Sequence, residues 1–348
     1  MTPLLEARAV SRVYGAGARA NVALDRFSLT LDADVPSFTA IAGESGSGKT
    51  TLARLLLGFT RPTSGEVVYR GKNVWKMGRR DWLNFRHEVQ AIFQDPFEVF
   101  NPFYKVDHLL SVPISKFRLA RSHDEARART EQALRAVGLR PEETLGRYPH
   151  QLSGGQRQRL TVARALLLQP RLIIADEPVS MVDASLRATI LDSLKQIHAE
   201  FRISFLYITH DLTTAYQICD NIIVLYRGTV AEVGNVDLVI KDPKHPYSQL
   251  LISSIPEPDV DSRWDDDPLP APRSEVGRRL EHACQFAERC PAVMPICREV
   301  DPPLYRLDQE RAASCFLYQD QPTLDTTAID EVLASRGAAP FTSRGGTP

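Results

Sequence analysis

The sequence predicts an α/β fold in which parallel strands are joined by crossover helices. Short β-rich runs alternate with longer segments of helical period along the 348 residues. Residues 38–42 form an apolar run that passes through glycines into residues 49–57, whose leucines share one helical face. Two further apolar runs, 172–175 and 205–208, have the length and composition of buried strands. Ligands of open α/β sheets bind beyond the carboxyl ends of strands, so functional residues are expected there.

The remaining patterns divide the chain into three parts. Residues 1–255 are predicted to form the main domain, with an inserted helical subdomain at about 95–165. Residues 256–320 are predicted to form a C-terminal extension, which starts with a Pro- and Asp-rich linker and continues as a small module containing cysteines. Residues 321–348 are rich in Thr, Ala, Gly and Ser and are predicted to be a flexible tail.

Composition excludes several classes of partner. With 42 Lys and Arg against 43 Asp and Glu, the net charge of −1 provides no global field that attracts nucleic acid or anionic lipid. The apolar runs are shorter than the 18 or so residues that a membrane-spanning helix needs. The N-terminal residues lack the basic start of a secretion signal, so a cytosolic protein is expected.

Residues 43–50 fit the phosphate-loop pattern G-x-x-x-x-G-K-[ST] between a predicted strand and a predicted helix. In such a loop backbone N–H groups face the phosphates, Lys49 neutralises the β/γ oxygens and Thr50 ligates Mg²⁺. The alternative, a simple glycine-rich turn, does not account for the strand and helix on either side. The residues predicted to bind ATP here are Gly43, Ser45, Gly46, Gly48, Lys49, Thr50 and Thr51.

Two carboxylates follow the predicted strand 172–175. Asp176 is placed to hold Mg²⁺, and Glu177 is placed to act as the general base that orients the attacking water. An apolar run that ends in Asp-Glu would by itself be interpreted as a helix N-cap. The phosphate loop favours the catalytic interpretation.

A second anion site is predicted at residues 152–156, with the sequence LSGGQ, directly before a segment of good helix formers. One loop already handles the phosphates of a bound nucleotide. The second site is therefore predicted to serve a nucleotide held by another copy, which implies a dimer.

The order of these motifs resembles the ABC ATPase family over about residues 1–250. The resemblance implies that two such domains sandwich two ATP molecules, each bound by the phosphate loop of one domain and the LSGGQ segment of the other. It implies that this segment contacts the γ-phosphate across the interface through Ser153, Gly155 and Gln156, with Gly154 part of the same ATP site.

The same resemblance assigns roles to four more residues. Gln94 would sense the γ-phosphate and Mg²⁺ and face the membrane subunits, and His210 would be the switch histidine at the γ-phosphate. Asp183 would cross the dimer interface, although Met181-Val182 replaces the usual Ala-Leu before it. Tyr14 would stack on adenine. Taken singly, these residues would be interpreted as surface, structural or packing side chains.

Two further segments resemble the oligopeptide and dipeptide branch of importers: residues 93–97 with Asn101-Pro102, and residues 242–247, DPKHPY. The branch implies import of peptides at the cytoplasmic face of the membrane by a peripheral subunit. Its implied partners are a second, related ATPase chain, two transmembrane permease subunits and an extracytoplasmic solute-binding protein. Importers of oligosaccharides and nickel belong to the same branch, so the cargo stays open.

Four cysteines lie within residues 284–315, in the spacing C-x5-C-x6-C-x17-C. In a cytosolic protein they would bind metal or stay reduced rather than form disulfides. The spacing departs from the common zinc and ferredoxin patterns. The branch resemblance implies a [4Fe–4S] cluster, and zinc or plain thiols are the alternatives. The candidate ligands are Cys284, Cys290, Cys297 and Cys315.

Two other functions compete with transport. A soluble ABC ATPase acting on DNA or ribosomes needs a coiled-coil insertion, a second cassette or basic arms, and the sequence shows none, so no nucleic-acid partner is predicted. A regulatory subunit with an inactive site is disfavoured because Lys49, Asp176, Glu177 and His210 are all present.

Overall fold

The structure is a computed structural model that describes residues 3–17, 20–95, 99–255 and 282–333. The strands in these ranges are β1 (Leu5–Tyr14), β2 (Asn21–Leu31), β3 (Phe38–Ala42), β4 (Ser64–Tyr69), β5 (Lys72–Asn73), β6 (Val89–Ile92), β7 (Leu172–Asp176), β8 (Ser204–Thr209), β9 (Asn221–Tyr226), β10 (Thr229–Asn235), β11 (Leu304–Asp308), β12 (Arg311–Ala313) and β13 (Thr323–Leu324). The α-helices are α1 (Lys49–Leu56), α2 (Arg79–Glu88), α3 (Val106–Phe117), α4 (His123–Ala136), α5 (Pro141–Thr144), α6 (Gly154–Leu166), α7 (Ala184–Phe201), α8 (Leu212–Ile218), α9 (Val236–Lys241) and α10 (Pro246–Ser253).

The main sheet has nine strands in the order β13-β11-β12-β10-β9-β3-β8-β7-β6. Its central strands β9, β3, β8, β7 and β6 are parallel. β3, β8 and β9 are buried at every position, which explains their continuous apolar runs. The strands predicted at 38–42, 172–175 and 205–208 are confirmed as β3, β7 and β8. β9 and β10 form a hairpin in which Tyr226 pairs with Thr229 across the turn.

A second sheet, antiparallel and in the order β2-β1-β4-β5, forms a separate layer. Its buried side chains share one hydrophobic cluster with the leucines of α1 and with residues from the main sheet. Helix α1 therefore packs between the two sheets. Because α1 begins at Lys49, this packing fixes the direction in which the phosphate loop leaves β3.

Helices α3 to α6 lie between β6 and β7 in the chain, where the helical subdomain is predicted. The N-terminus of α4 is capped, since the Ser122 hydroxyl accepts a hydrogen bond from the N–H of Glu125 at 3.1 Å. The buried faces of α3, α4 and α6 join the larger hydrophobic cluster of the molecule. This packing holds the start of α6, which carries the LSGGQ segment, on the same body as the main sheet.

The C-terminal region differs from the predicted separate module. β12 pairs antiparallel with β10, so β11, β12 and β13 extend the main sheet instead of forming a sheet of their own. A separate cysteine-containing module is therefore not supported. The predicted linker falls on residues 256–281, which lie outside the described residues.

The stretch from residue 321, predicted to be flexible, is structured as far as residue 333. Asp325 caps a 3₁₀ segment at Thr326–Val332, and Ile329 and Val332 are buried in the cluster shared by the two sheets. Full burial of such a side chain stabilises a fold by about 1.5–3 kcal/mol. The prediction was wrong here because two apolar anchors are too few to stand out in a polar stretch. Residues 334–348 lie outside the described residues.

Among the helices that the structure describes, none combines the length and apolar character needed to span a membrane.

Candidate nucleotide site

The phosphate loop turns sharply between β3 and α1. Gly48 has a φ of 108°, and a Cβ there would collide with the carbonyl oxygen of Ala23, so only glycine fits without strain. Ser45 and Gly46 are exposed at the tip of the loop, while Thr51 is half-buried on α1. The residues predicted to bind phosphates thus lie together at the carboxyl end of a buried strand, in the turn and in the first residues of α1.

Lys49 is buried, and its Nζ donates to the carbonyl oxygens of Gly43 at 2.7 Å and Glu44 at 2.9 Å. Burial lowers the pKa of Lys49, and the negative charges of Glu177, Asp176 and Glu44 oppose that effect. The ammonium group is therefore held by the backbone of the loop, in the field of nearby carboxylates, where it can neutralise the phosphate oxygens of a nucleotide.

Asp176, at the end of β7, has the features of a metal ligand. Its Oδ1 atom is buried without a hydrogen-bond partner, and its other interactions include a hydrogen bond with the Thr50 hydroxyl. Burial raises the pKa of Asp176, as does the charge of Glu177, while the bond from Thr50 and the charge of Lys49 lower it. A buried carboxylate oxygen without a partner beside a hydroxyl suits Mg²⁺, which prefers oxygen ligands.

Glu177 is held from two sides by residues predicted to act with it. The Gln94 side-chain amide donates to Oε2 at 3.0 Å, and Nδ1 of His210 lies 2.9 Å from Oε1. The backbone of Glu177 has a φ of 46°, which is sparsely populated by residues other than glycine and is often found at functional sites. The structure therefore brings together three residues from the ends of three neighbouring strands, β6, β7 and β8.

The LSGGQ segment begins α6. The hydroxyl of Ser153 accepts from the N–H of Gln156 at 3.2 Å, and Oε1 of Gln156 accepts from the N–H of Ser153 at 2.9 Å. This capping box fixes the first turn of the helix. A Cβ at Gly155 would lie 2.9 Å from Cδ1 of Leu186, so a larger residue would require the Leu186 side chain on α7 to shift.

Asp183 is exposed at the N-cap position of α7, without a side-chain capping bond. Gly154 approaches the Met181 carbonyl, since a Cβ on that glycine would lie 3.9 Å from its oxygen. The segment around Asp183 and the LSGGQ segment therefore form neighbouring parts of one surface. Met181, which departs from the family pattern, is 58% exposed and could be accommodated there without repacking the core.

Tyr14 lies at the end of β1 and is 37% exposed. The guanidinium of Arg12 lies over its ring, with 4.5 Å between Cζ and the ring centroid. One ring face is thus covered by a cation, an arrangement that the sequence did not predict. The alternation of side chains along a strand places residues 12 and 14 on one face, which is the signal that could have indicated it.

The C-terminal cysteines are partly or fully buried. Burial raises the pKa of the Cys284 thiol and that of the Cys315 thiol to about 11, and also raises that of Cys290. The N–H of Cys284 donates to the carbonyl of Cys297 at 2.9 Å. Over the described ranges, no group of three or more His, Cys, Asp or Glu side chains is placed to hold a metal ion. The predicted iron–sulfur cluster is therefore not supported.

The importer-like segment 242–247 also has a structural role. Nδ1 of His245 accepts from the N–H of Tyr247 at 3.0 Å and so caps α10. His245 is buried, and burial lowers its pKa from 6.5 to about 4, against a hydrogen bond with the Ser314 backbone. The ring is therefore neutral in the folded protein. In the other importer-like segment, residues 93–97, Pro96 and Phe97 lie outside the described residues.

This burial predicts a pH-dependent stability. The pKa of His245 is lower in the folded chain, so its contribution is complete above pH 6.5 and is lost as the pH falls towards 4. The difference between 6.5 and about 4 corresponds to at most about 3 kcal/mol. When the pH is lowered from 7.5 to 5, the thermal unfolding midpoint should fall more for the wild type than for His245→Asn. The asparagine keeps a cap for α10 but does not titrate. Equal falls in both proteins would contradict this.

Two ranges of the chain match models of known protein families. Residues 24–180 match the model described as ABC transporter, and residues 231–297 match the model described as oligopeptide/dipeptide transporter, C-terminal region. The first range contains the phosphate loop, Gln94, the LSGGQ segment and both carboxylates at the end of β7. The second contains most of β10, all of α10 and three of the four C-terminal cysteines.

Individual proteins are similar over most of their length. The di/tripeptide transport ATP-binding protein DppF of Pseudomonas aeruginosa is 38% identical over 79% of this chain and 84% of its own. The oligopeptide transport ATP-binding protein OppF of Salmonella typhimurium is 37% identical over 76% of this chain and 79% of its own. The dimeric post-hydrolysis structure of the ATP-binding cassette MJ0796, bound to ADP and Pi, has a TM-score of 0.59 at 29% identity over 67% of this chain and 98% of its own.

Proposed function

This chain belongs to the ATP-binding subunits of ABC transporters, in the oligopeptide/dipeptide transport family, and from this premise we propose that it powers the import of peptides through separate permease subunits. ATP hydrolysis is the activity of the family. The observation that carries the proposal is the arrangement around Glu177, whose two carboxylate oxygens are held by Gln94 and His210 at the edge of the phosphate loop.

The geometry suits in-line attack of water on the γ-phosphate. Glu177 is in position to accept a proton from the water, and Gln94 and His210 fix the direction of its carboxylate. His210 is 56% exposed at the side chain, so it can also reach the γ-phosphate of a bound nucleotide. Lys49 stabilises the charge that develops on the transferred group.

Mg²⁺ is expected with ATP in this family, and the chain offers suitable ligands. The ion would be held by the buried Oδ1 of Asp176, the Thr50 hydroxyl and the exposed side chain of Gln94. When bound, the ion neutralises charge on the phosphate oxygens. Burial and the charge of Glu177 raise the pKa of Asp176 in the absence of a cation, and a bound Mg²⁺ would add its charge to those of Lys49 and the Thr50 hydrogen bond in favouring the ionised form.

The second half of each nucleotide site would come from another ATPase chain. Ser153 and Asp183 are exposed on one surface formed by the starts of α6 and α7. The N–H groups at the start of α6 suit a phosphate. The similar MJ0796 cassette is dimeric in its ADP- and Pi-bound structure, which supports this pairing. We infer that the partner is a related but different chain.

In the proposed cycle, ATP closes the dimer, closure passes through the loop at Gln94 to two transmembrane permease subunits, and hydrolysis at Glu177 reopens it. An extracytoplasmic solute-binding protein would deliver the cargo. The chain would then act at the cytoplasmic face of the membrane as a peripheral subunit. Peptide cargo is supported by two of the similar proteins, an oligopeptide and a di/tripeptide transport ATP-binding protein.

Purification of the tagged chain from detergent-solubilised membranes tests this proposal. We expect two permease chains and a second ATP-binding chain to co-purify. ATP turnover of the complex should then rise when the solute-binding protein is loaded with a peptide. Stimulation by an oligosaccharide or by nickel, and not by peptides, would overturn the peptide cargo. Co-purification with DNA or ribosomes and without permeases would overturn transport.

A further inference from the structure

Glu44, within the phosphate loop, is connected to two later parts of the chain. Its backbone N–H donates to the hydroxyl oxygen of Tyr247 on α10 at 2.8 Å. Its carboxylate accepts two hydrogen bonds from the guanidinium of Arg289 in the C-terminal region, at 2.9 and 3.1 Å. Its carbonyl accepts from Nζ of Lys49 at 2.9 Å. The backbone and the side chain of this one residue are thus both held.

The bond from Tyr247 acts on Lys49 through a single peptide plane. The N–H of Glu44 and the carbonyl of Gly43 belong to the same planar peptide unit. That carbonyl accepts from Lys49 Nζ at 2.7 Å. Because the unit is rigid, fixing the N–H at Tyr247 also fixes the carbonyl that positions the phosphate-binding ammonium group.

The two outer side chains have little freedom to move. The Tyr247 ring is fully buried and contacts the rings of Tyr226 and Phe286, with centroids 4.4 and 5.5 Å away. The guanidinium of Arg289 lies over the same two rings, 5.9 and 5.7 Å from their centroids, and its side chain is 20% exposed. A bidentate guanidinium–carboxylate pair on such a support is more restricted than an ordinary surface ion pair.

We propose that Tyr247 and Arg289 are positioning residues that hold the phosphate loop in its nucleotide-binding conformation, so that the C-terminal region sets the affinity of the site for ATP. Neither residue touches the reacting atoms. Both act on Lys49 through Glu44. The C-terminal region would then have a role in the ATP cycle that does not depend on any metal bound to its cysteines.

The competing explanation is that Arg289 only attaches the C-terminal region to the main sheet. A neighbouring ion pair provides the matched control, since Glu288 in the same region pairs with Arg227 at 3.4 Å. Glu288→Gln removes that attachment and leaves Glu44 untouched. Attachment alone predicts similar effects for both variants, and positioning predicts an effect only for the Arg289 variant.

The test measures the dissociation constant of a fluorescent ATP analogue, kcat and the thermal unfolding midpoint in the full-length chain. Arg289→Ala and Tyr247→Phe should each raise the dissociation constant about three- to fivefold, with kcat nearly unchanged. Arg289→Lys should recover part of the loss, because it keeps the charge but loses the bidentate geometry. Glu44→Gln combined with Arg289→Ala should weaken binding no more than the stronger single change.

Two results would overturn the proposal. One is a dissociation constant within experimental error of the wild type for both Arg289→Ala and Tyr247→Phe. The other is equal weakening by Glu288→Gln and Arg289→Ala together with equal falls in the unfolding midpoint, which would mean that the region acts through stability alone.

Discussion

Glu177→Gln should bind ATP as the wild type does and hydrolyse it about 10²- to 10⁴-fold more slowly. The amide keeps the size of the carboxylate and can still form hydrogen bonds with Gln94 and His210. In the wild type these two side chains lie 3.0 and 2.9 Å from the carboxylate oxygens of Glu177. It cannot take a proton from the attacking water. The loss should therefore fall on kcat and not on nucleotide affinity.

Single-turnover hydrolysis and equilibrium binding of ATP, measured on the same preparation, separate the two effects. Glu131→Gln is the matched control, because Glu131 lies on α4 and pairs only with Arg127 and Arg135 among the ion pairs of the described chain. That variant should turn over ATP at the wild-type rate. A Glu177→Gln protein with wild-type turnover would remove Glu177 from the role of general base.

Lys49→Ala should lose turnover to a comparable extent, about 10²- to 10³-fold, but for a different reason. Lys49 is buried close to the charges of Asp176 and Glu177, so its removal leaves these two carboxylates without their neighbouring cation where the phosphates would bind. We expect weak ATP binding in this variant, in contrast to Glu177→Gln.

Isothermal titration with ATP and Mg²⁺ measures the difference directly. Lys72→Ala serves as the control, since Lys72 is an exposed lysine that pairs with Asp81 at 2.8 Å on the second sheet. It should titrate like the wild type. Tight ATP binding by Lys49→Ala would contradict the central position assigned to this residue.

Local patterns predicted the parts of the site that depend on neighbouring residues. The strand predicted at 38–42 is β3, and the strand predicted at 172–175 is β7, which extends one residue further to Asp176. Each is buried along its apolar run and ends where water becomes accessible, so composition alone indicates both its length and its end. The phosphate loop and the two carboxylates follow from those ends.

The relationships that the sequence did not predict are long-range. Glu44 and Arg289 are 245 residues apart, and no local periodicity connects them. The joining of β12 to β10 likewise depends on backbone pairing, and a strand of only three residues, Arg311–Ala313, gives almost no compositional signal for it. The N-terminal sheet was hard to predict because bulges interrupt the alternation of β1 at several points.

ATP-driven uptake of a labelled peptide into proteoliposomes containing the co-purified complex is the most direct test of the central claim. The account predicts uptake that requires ATP, Mg²⁺ and the solute-binding protein, and that falls to background when this chain carries Glu177→Gln. Uptake that continues at the wild-type rate with the Glu177→Gln chain, or a complex that hydrolyses ATP without moving any peptide, would contradict it.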